Sequence, residues 1–169
     1  AASNGASTSG GRSADQDKED RIEDQFRQIR ANLSSEINQG LAEVERDGDS
    51  IIIRLAEQGS FSSGLALLQA SFMDLLDNVG ASLAGASGLI QIEGHTDNVP
   101  MGFGSRYRDN WDLSSARSAS VADYLLEGGY VSPGNMVVMG LADTRPLQSN
   151  ASALGRAANR RIEIIVKND

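Results

Sequence analysis

Residues 89–98, LIQIEGHTDN, and residues 110–121, NWDLSSARSASV, decide how this sequence folds. The apolar run over 89–93 reads as a strand, which delivers the chain to Gly94 and then to His95, Thr96, Asp97 and Asn98. Beyond a loop rich in Gly and Pro, Asp112 is placed to cap a helix from about Leu113 to Leu126, ended by Gly128 and Gly129. On that helix Leu113, Arg117, Val121, Tyr124 and Leu125 share a face, so Arg117 interrupts an apolar stripe. Helix side chains lean toward the N-terminus, which aims Arg117 at the strand end presenting Asp97. In open α/β sheets ligands favour the crevice at the carboxyl ends of strands, and a helix N-terminus there adds N–H groups suited to a carboxylate. The residues alone leave two readings open. Asp97 and Arg117 neutralise each other as a structural pair, the commoner fate of a partly buried Arg, or they clasp the ammonium and carboxylate of a zwitterionic ligand.

Outward from this centre, Ile51, Ile52, Ile53 and Leu55 make an earlier strand bounded by Gly59. A helix follows with Leu65, Leu68, Phe72, Leu75, Leu76, Val79 and Leu83 on its apolar face, started by Ser62 or Ser63. Residues 135–141 and 161–167 read as two more strands, with a short helical turn expected near 151–158 between them. The order strand, helix, strand, helix, strand, strand predicts an α/β (α+β) two-layer sandwich with helices packed on a sheet. Ahead of it, residues 1–17 read as a small-residue linker. Residues 18–47 read as one amphipathic helix carrying Ile22, Phe26, Ile29, Leu33, Ile37, Leu41 and Val44. Its stripe suits docking on the globular body, residues 48–169, or dimerisation.

Composition bounds the function. A net charge of −8 argues against binding duplex nucleic acid, whose phosphates demand clustered Lys and Arg. Within this acidic chain Arg145, Arg156, Arg160 and Arg161 occur with no acid among them, which makes room for a local anion site. With no cysteine there is neither a disulfide framework nor a Cys-based zinc site. His95, the only histidine, falls short of the ligand count that catalytic zinc needs and reads as a structural histidine at a strand end. No metal or cofactor is expected. No Gly-x-Ser-x-Gly elbow activates a nucleophile, and Trp111 reads as a packing residue beside the helix start. No run of about 18 apolar residues spans a membrane, and a start at Ala1 in a Ser/Gly-rich stretch suggests a piece of a longer chain with any anchor upstream.

Taken together, GHTDN at 94–98, NWDLSSARSASV at 110–121 and GRAANRRIEI at 155–164 resemble the OmpA-like peptidoglycan-binding domain over roughly residues 50–167. DNVP before a long loop, NW before DLS, and ADTRPLQSN are similar to the flagellar stator family called MotB or PomB. The resemblance implies a mixed β-α-β-α-β-β sheet that binds peptidoglycan without catalysis. It also implies a homodimer, an ion-channel partner subunit reached through an upstream membrane helix, and periplasmic flagellar ring proteins as further partners. The location it implies is the periplasmic part of an inner-membrane-anchored protein, anchored to the cell wall. It assigns Asp97 to the ammonium and Arg117 to the carboxylate of diaminopimelate in the stem peptide. Thr96, Asn98 and Asn110 would add hydrogen bonds, Leu113 would shape the pocket, and Arg160 would supply a second cation while Arg161 points elsewhere. Two departures stand out: FSSG at 61–64 lacks the Asp that the family often has soon after the Phe matching Phe61, and Ser118 replaces the usual Ala. The loop from Val99 to Asp109 is either a lid or a surface loop. Alternatives are a wall anchor from an outer-membrane protein or lipoprotein, and a peptidoglycan-modifying enzyme.

Overall fold

The computed structural model describes residues 11–168; most of the 1–17 linker segment lies outside them. Five strands form one mixed sheet in the order β1-β2-β5-β3-β4. These are β1 (Ala42–Asp47), β2 (Ser50–Ala56), β3 (Leu89–His95), β4 (Met136–Gly140) and β5 (Arg161–Lys167). β1 and β2 form a hairpin in which Asp47 pairs with Ser50, and Gly48 takes φ +58°, a conformation costly for a side chain but free for glycine. β5 runs antiparallel to both β2 and β3, and β4 runs parallel to β3. The last strand therefore fills the slot between the first and second strands expected from the sequence.

Alternation along the strands sends Ile51, Ile53, Leu55, Ile90, Ile92, Ile162, Ile164 and Val166 into one core. Three helices cover that face: α1 (Ala14–Asn32), α3 (Ala70–Leu83) and α4 (Asn110–Glu127). α4 is the crossover between the parallel pair, and it lies close because Gly94 has no side chain. A Cβ there would meet the Ser114 carbonyl oxygen at 2.2 Å. Ser118, the departure from the family's Ala, is fully buried and donates to the Met139 carbonyl at 2.8 Å, tying α4 to β4.

The amphipathic helix predicted over 18–47 is shorter and broken. α1 ends at Asn32, α2 (Ser34–Asn38) adds a turn and a half, Gly40 reverses the chain at φ +72°, and 42–47 is strand β1. Leu41 and Val44 continue a three-and-four spacing by coincidence: Val44 pairs across the hairpin with Ile53. The stripe itself docks on the domain, with Ile22, Ile29 and Leu33 buried. α3 also starts later than predicted, at Ala70, because residues 57–69 form an irregular strap whose ladder pairing is an isolated Phe61–Leu68 bridge. The cap of α4 is Asp109, whose carboxylate accepts from the Asp112 N–H at 2.8 Å. α5 (Ala153–Asn159) is the short helix expected before β5.

Candidate functional site

The antiparallel registers gather the site. Ala56 faces Arg161 across the β2–β5 pair, and His95 faces Arg161 across the β3–β5 pair. The residues just beyond these positions, Glu57, Arg160 and Asp97, therefore meet at one end of the sheet, where α4 begins. A groove of about 1110 Å³ opens there, lined among others by Glu57, Thr96, Asp97, Asn110, Arg117 and Arg160. Leu113 lines it as well, whereas Asn98 is exposed and takes no part in its walls.

Asp97 and Arg117 do not pair with each other. Asp97 Oδ2 accepts from Arg160 Nη1 at 2.7 Å, while Oδ1 accepts from the Val99 N–H at 3.0 Å. Arg117 Nη1 donates to Glu57 Oε1, and its Nε donates to the Leu65 carbonyl at 2.9 Å. The remaining oxygen of Glu57 accepts from Arg160 Nε at 2.7 Å. The charges thus form a chain: Arg117, Glu57, Arg160, Asp97. Burial works against the Arg160 guanidinium, but Asp97 and Glu57 outweigh it and raise its pKa. The Phe61 ring stacks over Arg117, 4.9 Å from ring centre to guanidinium carbon.

Thr96 and Asn110 build the rim. The Thr96 hydroxyl donates to the Asp97 carbonyl at 2.8 Å, and the Asn110 amide donates to the carbonyls of Val99 at 3.0 Å and Asp97 at 3.3 Å. Val99 and Met101 bring the start of the 99–109 loop into the groove wall, and Phe103 at its tip is fully exposed. Trp111 is half exposed rather than packed, because α4 starts before it and turns it outward. Arg161, expected to point elsewhere, borders the groove as well, while its Nε donates to Glu163 at 2.9 Å and its Nη atoms to the carbonyls of Asn159 and Arg145.

Sequence reasoning missed Glu57. Its one signal is an acid directly after an apolar strand, and only the β2–β5 register turns that into a groove position.

A second cluster, Glu93, His95 and Glu163, lies on the sheet face away from the helices, with potential ligand atoms within 4.8 Å of one another. The sequence leaves His95 short of metal ligands; the fold supplies two carboxylates. Both are engaged. His95 Nε2 lies 3.0 Å from Glu93 Oε2, and this hydrogen bond holds the Glu93 carboxyl below the usual range against the opposing effect of burial. Arg54 and Arg161 both donate to Glu163 Oε1, at 3.0 and 2.9 Å, so a cation entering here would meet like charge.

Comparison with known proteins places these features. Peptidoglycan-binding protein ArfA of Mycobacterium tuberculosis is 38% identical over 62% of this chain and 30% of its own. The cell wall anchor of the T6SS from Pseudomonas aeruginosa is 34% identical, with a TM-score of 0.76 over 83% of this chain and 97% of that one. A MotB-like protein from Desulfovibrio vulgaris is 27% identical, with a TM-score of 0.81 over 90% and 96%. The chain spans about half the length of the first curated relatives it matches. Among the described residues no helix is long and apolar enough to cross a membrane. The model of the OmpA family matches residues 60–160, and the chain belongs to that family.

Proposed function

We propose that this domain binds peptidoglycan without catalysis, by holding the ammonium and carboxylate of a diaminopimelate stem residue, and anchors a flagellar stator unit to the cell wall. The carrying observation is the alternating chain of two guanidiniums and two carboxylates in one groove. A ligand bearing both charges at one carbon matches such a chain, because each of its groups replaces a partner of the same sign. In this reading Asp97 takes the ammonium, Arg117 and Arg160 face the carboxylate, and Thr96 and Asn110 hold the rim in shape. Leu113 supplies the apolar wall. Asn98 has no contact role.

The names of the relatives support wall anchoring, and likeness to the MotB-like protein supports the stator role. The stator role carries with it a periplasmic location, a homodimer, an upstream membrane helix with its channel partner, and control of reach through α1. The P. aeruginosa structure, matched over 97% of its length, favours a second reading: a wall anchor for another envelope machine. Pull-down on purified sacculi tests the shared part. Wild type should bind, and Asp97→Ala and Arg117→Ala, shown folded by circular dichroism, should not. If all three bind alike, the wall contact lies on another surface.

A further inference from the structure

The groove contains an acid that its motifs do not account for. Glu57 lies outside both quoted stretches, yet its two oxygens occupy both cations meant for a ligand carboxylate. The strap over 57–69 closes with it. The Leu65 carbonyl accepts from Arg117 Nε, the Phe61 ring lies over the guanidinium, and the Ser120 hydroxyl holds the Ala66 carbonyl at 2.8 Å. Arg117 is left only 4% exposed. Its Nη2 is buried without a hydrogen-bond partner among the described residues. Glu57 divides its oxygens between two arginines and so binds neither as a fork, the geometry in which a guanidinium holds a carboxylate best.

We propose that Glu57 is a resident carboxylate that keeps the Arg117–Arg160 pair occupied until the ligand's own carboxylate displaces it, carrying the strap outward. This rests on the zwitterionic-ligand reading above. A ligand carboxylate that forks onto Arg117 and reaches Nη2 makes a bond that Glu57 leaves unmade. A neutral group gives the two guanidiniums nothing in exchange for Glu57, so the resident acid selects for ligands with a free carboxylate. Gly59 and Gly64, at φ +79° and +65°, give the strap turns that no other residue type adopts as easily, on either side of Phe61.

Isothermal titration with two soluble stem tripeptides, one ending in diaminopimelate and one in its carboxylate amide, tests this. Glu57→Gln keeps the shape and removes the charge, and should bind the acid on the order of tenfold more tightly than wild type while its affinity for the amide stays unchanged. Ser120→Ala frees Ala66 without altering any charge in the groove, and should tighten acid binding about threefold. Equal affinity of Glu57→Gln and wild type for the acid would overturn the proposal. Weaker binding would overturn it too, making Glu57 a direct contact for the ammonium. Wild-type binding that Asp97→Asn abolishes but Glu57→Gln leaves unchanged removes only the resident acid's role. Absence of binding in every variant removes the wall-binding reading as well.

Discussion

Asp97→Ala and Arg117→Ala remove unequal things. Arg117 is buried and gives up an ion pair, a backbone acceptor and the Phe61 ring, so its loss should cost about 3 kcal/mol, the low end for breaking a buried pair, since Glu57 keeps Arg160. Asp97 pairs with a half-exposed Arg160 that retains Glu57, and its loss should cost about 1 kcal/mol. Urea unfolding of the two variants, read from circular dichroism, measures that difference, and similar losses would mean that Arg117 is less buried than described. Glu93 gives a separate expectation. Its folded pKa is depressed, so its contribution is present above its unfolded value near about 4.3 and disappears as pH falls through the lower folded value. Glu93→Gln should therefore be less stable than wild type at neutral pH, with the gap closing as the pH falls below the usual Glu range; urea unfolding at several pH values reads it. Strand-end position and helical spacing made Asp97 and Arg117 legible, whereas Arg160 was legible only through the resemblance of GRAANRRIEI to the family. Glu57 was not legible, because nothing within AEQGS says that β5 will lie beside β2.

At the scale of elements, the approach of α4 to β3 sets the groove, since one helix carries Asn110, Leu113 and Arg117. Gly94→Ala puts a methyl group against the Ser114 backbone, which cannot rotate away as a side chain would. The expected result is a loss of about 2 kcal/mol and weaker sacculus binding through a displaced Arg117. Trp111, the only tryptophan, sits in the first turn of α4, so its emission should shift in the same variant. Unchanged emission with unchanged binding would show that α4 absorbs the methyl elsewhere. The elements themselves were legible where periodicity was local: β2, β3, α4 and β5 lie close to their predicted ranges. The failure at 39–47 has a physical source. Helical spacing and strand alternation agree at Val44, and Gly40 was the sole sign that the chain turns. The strap at 57–69 misled in a similar way, because Leu65 and Leu68 extend the apolar spacing of α3 although its first turn begins at Ala70.

At the scale of the molecule, α1 is held in two different ways along its length. Its C-terminal half contributes Phe26, Ile29 and the adjoining Leu33 to the main core. Its N-terminal half is held by Ile22 and by ion pairs at the surface, Arg46 to Glu19 at 2.7 Å and to Glu23 at 3.0 Å, and Lys18 to Asp49 at 2.8 Å. Pairs of that kind weaken as salt screens them, whereas the Ile29 and Leu33 contacts do not. The control of reach proposed for α1 would therefore fall to residues 14–25, the part held mainly by surface ion pairs. Converting those residues from helix to extended chain would add roughly 20 Å, from the difference in rise per residue. Ile22→Ala should accelerate amide hydrogen exchange in 14–25 at least about tenfold, leave 26–38 nearly unchanged, and leave sacculus binding intact, because the groove lies at the far end of β2 from Asp49. Raised salt should act in the same direction on the wild type. If exchange instead rises evenly along α1, the helix is a single unit of the fold, and the proposed control of reach through its N-terminal half fails.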